Sequence, residues 1–205
     1  RTCMKYLEAL NFKGLDKKDY KYNTTCLGGF TNGTTVVEMA AGYATIANDG
    51  EYRTPDCIIK ITDAKGNDIV PEDTSTKSVY SSSASRMMTS VLQSCVTEYE
   101  GTAHVCQLDV DMPVACKTGT TNNYVDGWLC GYTPYYTTAV WVGMDVYKSV
   151  DNLKGNTYPA SIWTNYMNKI HQGLHRKEFE SYLGDTESTT EATTESTEDD
   201  TESTT

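Results

Sequence analysis

The residue types with the clearest chemistry in this 205-residue sequence lie from Lys117 to Thr121 (KTGTT). They follow an apolar run that starts at Met112, so they are expected towards the end of a β-strand. A lysine ammonium on a strand edge attracts a carboxylate, and neighbouring hydroxyls can donate hydrogen bonds to the same anion. A glycine among them lets another backbone approach closely. The pattern therefore predicts a site for a carboxylate beside the strand, against the simpler alternative of a polar hairpin end.

Two further strand-like runs follow and must position this pentapeptide. Strands are predicted for residues 113–121, 126–133 and 137–145, with turns near Asn123 and at residues 133–136. Connections this short join antiparallel neighbours. The pentapeptide is therefore expected on a three-stranded antiparallel meander.

Helical periodicity surrounds the meander. Helices are predicted for residues 1–10, 36–48, 83–99 and 158–173, and a short strand pair for residues 57–63 and 68–70. Thr35 and Glu38 have capping-box spacing at the start of the second helix. Five apolar residues recur at helical spacing in the third helix and favour a core-facing stripe (Met87, Met88, Val91, Leu92 and Cys95). Helices before and after an antiparallel sheet predict an α+β fold, a helix-backed antiparallel sheet.

Five segments carry a family resemblance, in chain order: GTTVVEMAAGYATIANDG (33–50), VACKTGTTN (114–122), DGWLCGYTP (126–134), TAVWVGMD (138–145) and YPASIW (158–163). Together they resemble the transpeptidase domain of class A penicillin-binding proteins, over residues 1–175. Lys-Thr-Gly is an active-site element of penicillin-binding proteins and class A β-lactamases. The resemblance implies the C-terminal portion of a penicillin-binding, serine-transpeptidase (β-lactamase-like) domain.

The resemblance also implies roles for the pentapeptide. Lys117 would supply positive charge for the substrate carboxylate and assist proton transfer. The hydroxyls of Thr118 and Thr120 would bind that carboxylate, and the backbone N–H of Thr120 would form half of the oxyanion hole. Gly119 would keep the strand edge open to the substrate, and Thr121 is placed with the substrate-binding residues.

The family's Ser-x-x-Lys and Ser-x-Asn motifs do not occur in this sequence. No lysine has a serine three residues before it, and no asparagine has a serine two residues before it. These motifs supply the nucleophile and its proton acceptor. The chain is therefore expected to be a piece of a longer parent protein, cut after both motifs, and to be inactive alone. Two alternatives stay open: a catalytically dead wall-binding or scaffolding module, and a β-lactamase or β-lactam sensor.

For the parent, the resemblance implies a D,D-transpeptidase that cross-links peptidoglycan through a serine acyl-enzyme. Its partners would be the peptidoglycan stem peptide, glycan strands derived from lipid II, and β-lactams. An upstream glycosyltransferase domain and an N-terminal membrane anchor would hold it on the extracytoplasmic, cell-wall side of the bacterial membrane. No cofactor is expected.

The negative charge is concentrated at the C-terminal end. The formal net charge is −11, and residues 184–205 carry eight acidic and no basic residues, which leaves −3 for the rest. A segment made almost only of Thr, Ser, Glu and Asp cannot bury enough surface to offset its ordering entropy. The predicted organisation is a transpeptidase portion at 1–183 and a disordered acidic tail at 184–205. The negative net charge of the chain argues against a nucleic-acid partner.

Seven cysteines without a Cys-x-x-Cys pair raise the question of disulfide bonds. Cys116 and Cys130 flank the predicted turn symmetrically, which suggests a cross-strand disulfide. Buried free thiols that pack as small apolar groups are the preferred interpretation. Cys116 also stands where the family often has glycine, so the resemblance does not predict how the residues behind this strand pack.

The histidines and tryptophans are expected to have structural roles. His171 and His175 could share a metal, but a solvated polar face is preferred and no metal is expected. His104 is interpreted as a surface-loop residue. The three tryptophans are expected in the core rather than in a sugar-binding platform (Trp128, Trp141 and Trp163).

Overall fold

The computed structural model describes residues 2–70 and 74–182. Its helices are α1 (Thr2–Ala9), α2 (Val36–Ala47), α3 (Ser82–Thr97) and α4 (Tyr158–Ile170). Its strands are β1 (Glu51–Tyr52), β2 (Ile61–Thr62), β3 (Asp68–Val70), β4 (Lys77–Ser78), β5 (Ala115–Thr120), β6 (Gly127–Tyr132) and β7 (Thr137–Val142). The acidic tail predicted for 184–205 lies outside the described residues.

The central sheet is the predicted antiparallel meander. Its strand order is β5-β6-β7, with Lys117 opposite Cys130 and Trp128 opposite Trp141. Within the described residues β5 pairs with β6 alone, so its other edge is open. The pentapeptide is therefore on the edge strand of the sheet, and the α+β prediction is confirmed.

Helices cover both faces of this sheet. On one face, residues of α2 and α3 pack against Ala115 and Tyr132 (Tyr43, Ile46 and Leu92). On the other face, α4 packs against Cys116 and Leu129 through fully buried side chains (Ala160, Trp163 and Met167). Alternate strand residues point to opposite faces. Positions 117 and 119 of β5 therefore belong to the α2–α3 face, and positions 116, 118 and 120 to the α4 face.

The start of α2 has the capping box that its sequence predicts. The backbone N–H of Glu38 donates to Thr35 Oγ1 at 3.1 Å, and the backbone N–H of Thr35 donates to Glu38 Oε2 at 2.8 Å. Two backbone donors of the first turn are thereby satisfied by local side chains.

The predicted apolar stripe of α3 is confirmed for Leu92, which is buried, and for Cys95, which packs against the core. It is wrong for Met87, Met88 and Val91, which are about half exposed. The buried face of the helix consists of four residues (Ser85, Thr89, Leu92 and Val96). Thr89 can face the sheet because its hydroxyl lies 2.8 Å from the hydroxyl of Tyr132 and 2.9 Å from a backbone carbonyl. Small polar residues thus occupy the interface that the methionines were expected to fill, with the hydroxyl of Thr89 hydrogen-bonded and that of Ser85 without a partner among the described residues.

The strand prediction for residues 57–63 is also wrong over its first four residues. Strand β2 contains only residues 61–62, because its partner β3 is three residues long and the register shifts between them. The pairing of β1 with β4 was not anticipated. Each of these strands is two residues long, too short for an alternation pattern to reveal.

The suggested disulfide between Cys116 and Cys130 is excluded by the register. Cys116 lies opposite Gly131, and Cys130 lies opposite Lys117, so the two thiols point to opposite faces of the sheet. Both are buried and free. The preferred interpretation, buried free thiols, is confirmed for these two cysteines.

No described helix combines the length and the hydropathy needed to cross a lipid bilayer.

Candidate active site

The lysine and the first threonine of the pentapeptide converge at the open edge of β5. Although Lys117 belongs to one face of the sheet, its Nζ turns to the strand edge and donates to the backbone oxygen of Thr118 at 3.1 Å. The same Nζ lies 3.5 Å from Thr118 Oγ1, which comes from the other face. Lys117 is exposed and Thr118 is half-buried. An ammonium group and a hydroxyl therefore meet where a ligand has access.

The backbone of Thr120 also points to this edge. The N–H of Thr121 donates towards β6, to the carbonyl of Asp126 at 3.0 Å, the residue directly before that strand begins. In an antiparallel ladder, successive residues direct their N–H groups to alternate sides of the strand. The N–H of Thr120 is therefore directed away from β6, to the same side as the carbonyl that Lys117 contacts. It has the direction that an oxyanion donor needs.

Thr118 is held by a residue from another segment. Its Oγ1 lies 2.8 Å from Oγ1 of Thr102, which precedes the short 3₁₀ turn at His104–Cys106. His104 fixes this segment to the end of α3, since its two ring nitrogens contact the carbonyl oxygens of Val96 and Tyr99 at 2.7 and 3.3 Å. His104 is exposed, as expected of a loop histidine.

Thr120 is held by the loop that precedes α4. The backbone N–H of Gly155 donates to Thr120 Oγ1 at 3.0 Å. A hydroxyl has one donor and two acceptor positions, so this contact leaves its proton available for an external acceptor. Gly155 also packs on the backbone of Gly119, where a Cβ on residue 155 would lie 2.8 Å from both the nitrogen and the oxygen of Gly119. The loop thus supports the middle of the pentapeptide.

Gly155→Ala should destabilise the chain because the added methyl group would press on the backbone of β5 and β6. A Cβ there would lie 2.6 Å from the carbonyl oxygen of Trp128, closer than real contacts. Overpacking of this kind costs about 1–3 kcal/mol, measurable as a lower midpoint of urea unfolding. Gly42→Ala in α2 is the matched control, since its Cβ would lie no closer than 3.7 Å to Phe12. Equal behaviour of the two variants would contradict this interpretation of Gly155.

Thr121 is built into the β5–β6 turn. Its hydroxyl oxygen accepts the backbone N–H of Asp126 at 2.8 Å and lies 3.1 Å from Oδ2 of the same residue. Asp126 in turn accepts the indole N–H of Trp141 at 2.9 Å. Asn123 and Tyr124 complete the turn with positive φ angles of 62° and 54°. The substrate role of Thr121 stays a prediction, and in the structure its hydroxyl closes the turn.

The histidine pair does not share a helix face. Helix α4 ends at Ile170, and His171 is fully buried just beyond it. Both of its ring nitrogens are engaged, with Nε2 2.7 Å from Thr133 Oγ1 and Nδ1 2.7 Å from the carbonyl oxygen of Met167. The solvated polar face expected for His171 is therefore wrong. Among the described residues there is no group of three potential metal ligands.

The tryptophans contribute to packing to different degrees. Trp163 is fully buried, and its indole N–H donates to the carbonyl of Thr138 at 3.0 Å. Trp128 and Trp141 are half-buried on opposed strands, with ring centroids 6.4 Å apart. The core interpretation is confirmed for Trp163.

Sequence reasoning did not assign Thr102 and Gly155 to the site. Each contacts the pentapeptide from a distant part of the chain, and such contacts leave no local periodic signal. The arrangement as a whole presents one ammonium group, two braced hydroxyls and one outward N–H along a single strand edge. It can bind a carboxylate and stabilise a neighbouring oxyanion.

Comparison with known proteins shows which family the chain belongs to. The family described as penicillin binding protein transpeptidase domain matches residues 10–183. Penicillin-binding protein 4 of Bacillus subtilis (strain 168) is 35% identical over 163 residues, covering 80% of this chain and 26% of that protein. Penicillin-binding protein 1A of Clostridium novyi (strain NT) is 31% identical over 185 residues, covering 87% of this chain and 20% of that protein. The chain thus spans about a quarter or less of these relatives.

Solved structures share the fold. The penicillin-binding protein PonA1 from Mycobacterium tuberculosis superposes with a TM-score of 0.71 at 24% identity, over 85% of this chain and 50% of that chain. Penicillin-Binding Protein 1A from Haemophilus influenzae superposes with a TM-score of 0.69 at 22% identity, over 86% of this chain and 32% of that chain. The chain therefore belongs to the penicillin-binding protein transpeptidase domain family, as its resemblance to class A penicillin-binding proteins predicted.

Proposed function

We propose that the chain forms the carboxylate-binding wall of a D,D-transpeptidase active site in a longer enzyme that cross-links peptidoglycan. The observation that carries this proposal is the approach of Lys117 Nζ to within 3.5 Å of Thr118 Oγ1 at the open edge of β5. A terminal carboxylate placed there accepts from the ammonium group and from both threonine hydroxyls. The substrate class is the stem peptide of peptidoglycan, whose D-Ala-D-Ala end carries such a carboxylate.

The residues of the pentapeptide have different roles, which follow from their positions along β5. Lys117 provides the charge, while the hydroxyls of Thr118 and Thr120 donate to the carboxylate oxygens. Gly119 leaves the strand edge narrow enough for an extended peptide to lie alongside it. The outward N–H of Thr120 stabilises the oxyanion of the tetrahedral intermediate, together with one donor from outside this chain.

The nucleophile is supplied elsewhere in the parent. Acyl transfer needs a serine, a base that accepts its proton and an oxyanion hole, and this chain carries only part of that set. The serine of the parent attacks the carbonyl of the penultimate D-Ala, the peptide bond to the terminal D-Ala breaks, and that D-Ala leaves with a proton on its amine. An amino group of a second peptide then takes the acyl group and releases the serine. β-Lactams occupy the same wall through their own carboxylate, and the PonA1 protein from Mycobacterium tuberculosis has been crystallised with penicillin V. The parent acts on the cell-wall side of the bacterial membrane.

Labelling with a fluorescent penicillin tests this proposal. The full-length parent should become covalently labelled on a serine outside the 205 residues, and the 205-residue chain alone should stay unlabelled under the same conditions. Mass mapping of the labelled peptide identifies the serine. A label on a residue of this chain, or a folded parent that takes up no label, would overturn it.

A further inference from the structure

The hydroxyl of Thr102 is directed at one partner, the hydroxyl of Thr118. The two Oγ1 atoms are 2.8 Å apart, and either threonine could be the donor of this hydrogen bond. Within the described residues Thr118 is the hydrogen-bond partner of the Thr102 side chain, and Thr102 itself is exposed. The contact therefore does not stabilise the core, and its effect falls on the side chain of Thr118.

The residues on both sides of Thr102 are fixed to the end of α3. Ala103 is fully buried, and its backbone N–H donates to the carbonyl of Cys95 at 2.9 Å. The N–H of Gly101 donates to the carbonyl of Glu98 at 2.8 Å, and a Cβ on residue 101 would lie only 2.4 Å from the carbonyl oxygen of Cys95. Thr102 thus reaches β5 from a rigid support, so little conformational entropy is lost when its hydroxyl binds.

The direction of the hydrogen bond between the two threonines decides what Thr118 can bind. A hydroxyl carries one proton and two lone pairs. Nζ of Lys117, 3.5 Å away, can only donate, so it faces a lone pair of Thr118 Oγ1. An ionised carboxylate can only accept, so Thr118 has to give its proton to that ligand. The position left for Thr102 is the second lone pair, and Thr102 is then the donor of the contact.

We propose that Thr102 is a positioning residue whose hydroxyl donates to Thr118 and thereby directs the Thr118 proton to the carboxylate of the substrate. This inference rests on the proposed transpeptidase function and adds a reason why the site selects an ionised carboxylate. Hydrogen bonds linked in a row polarise one another, so the bond from Thr102 also strengthens the bond that Thr118 gives. Thr102 acts through Thr118 and not on the substrate itself.

Thr102→Val in the full-length parent tests this role, since valine keeps the shape of threonine and removes the hydroxyl. We expect the second-order rate of acylation by a labelled penicillin to fall about 3- to 10-fold, as for the loss of one hydrogen bond between neutral groups. Thr102→Ser keeps a hydroxyl and should retain most of the rate. Thr97→Val is the matched control and should match the unaltered parent, because the hydroxyl of Thr97 bonds within α3, to the carbonyl of Gln93.

Two readouts separate this role from a purely structural one. In a parent that already carries Thr118→Val, the change Thr102→Val should cause no further loss of rate, because Thr102 acts through the Thr118 hydroxyl. A stem-peptide thioester with an amidated terminus should be nearly insensitive to Thr102→Val, since an amide can donate to Thr118 as well as accept from it. Additive losses in the double variant, or equal losses with carboxylate and amide, would rule out the positioning role.

The unaltered parent separates this inference from the function on which it rests. If the unaltered parent is acylated and Thr102→Val reacts equally fast, the transpeptidase proposal stands and the role of Thr102 is refuted. If the unaltered parent takes up no label, the transpeptidase proposal fails and the role of Thr102 fails with it. Because Thr102 is exposed, its replacement should leave the midpoint of urea unfolding unchanged. Should Thr102→Val not fold, Thr102→Ala takes its place in each comparison.

Discussion

Replacement of Lys117 by methionine should slow the acylation of the full-length parent by a labelled penicillin about 100-fold. Methionine keeps most of the side-chain length but removes the charge, and a hydrogen bond to a charged group is worth roughly 1.5–3 kcal/mol. A loss near the top of that range corresponds to about two orders of magnitude in rate. Lys117 is exposed, so its replacement should leave the fold intact. The second-order rate of label incorporation, measured by quenched gel assay, gives the value.

A substrate pair separates binding of the carboxylate from other effects of Lys117. A thioester analogue of the stem peptide should lose a similar factor with Lys117→Met, whereas the same analogue with its terminal carboxylate amidated should lose much less. Lys169→Met, a change in α4 away from β5, should match the unaltered parent with both substrates. An equal loss of rate with both analogues would contradict the role of Lys117 in binding the carboxylate. Proton transfer would then be the role that remains for this residue.

Trp163→Ala should lower the free energy of unfolding by about 3–5 kcal/mol, more than any other substitution proposed for this chain. Trp163 is fully buried in the cluster that joins α4 to the sheet, and its removal leaves a cavity and a carbonyl of Thr138 without its indole donor. In a chain of this size that loss lowers Tm by roughly 10 °C or more. Urea unfolding of the 205-residue chain, with the slope m checked for constancy, measures it.

Two variants show which part of Trp163 matters. Trp163→Phe keeps most of the apolar contact but removes the N–H donor, so it should lose only about 1–2 kcal/mol. Trp128→Ala truncates a half-buried ring and should fall well below Trp163→Ala. A loss of less than about 1 kcal/mol for Trp163→Ala would mean that α4 is not held to the sheet by this residue.

The fold could be predicted where its causes are local. The three strands of the meander are joined by short turns. Their positions and their antiparallel order can therefore both be predicted from one continuous stretch of sequence. The cap of α2 depends on Thr35 and Glu38, which are three residues apart, and it forms as expected. Helix α3 was predicted in position, but its orientation only in part: Leu92 faces the core as expected, whereas Thr89 is buried through a hydrogen bond to Tyr132, 43 residues further on.

The sequence alone determined the chemical identity of the site: a lysine, hydroxyls and a glycine on a strand, in the order that one protein family uses. The tertiary structure decided which groups hold that strand and where each side chain points. Thr102 and Gly155 contact the pentapeptide from 16 and 35 residues away, Thr121 is drawn into a turn, and Cys116 lies on the opposite face of the sheet from Cys130. Residue type and spacing fix what a segment can do because bonds along the chain constrain near neighbours. Contacts between distant segments depend on how helices and sheet pack together, which no short stretch of sequence contains.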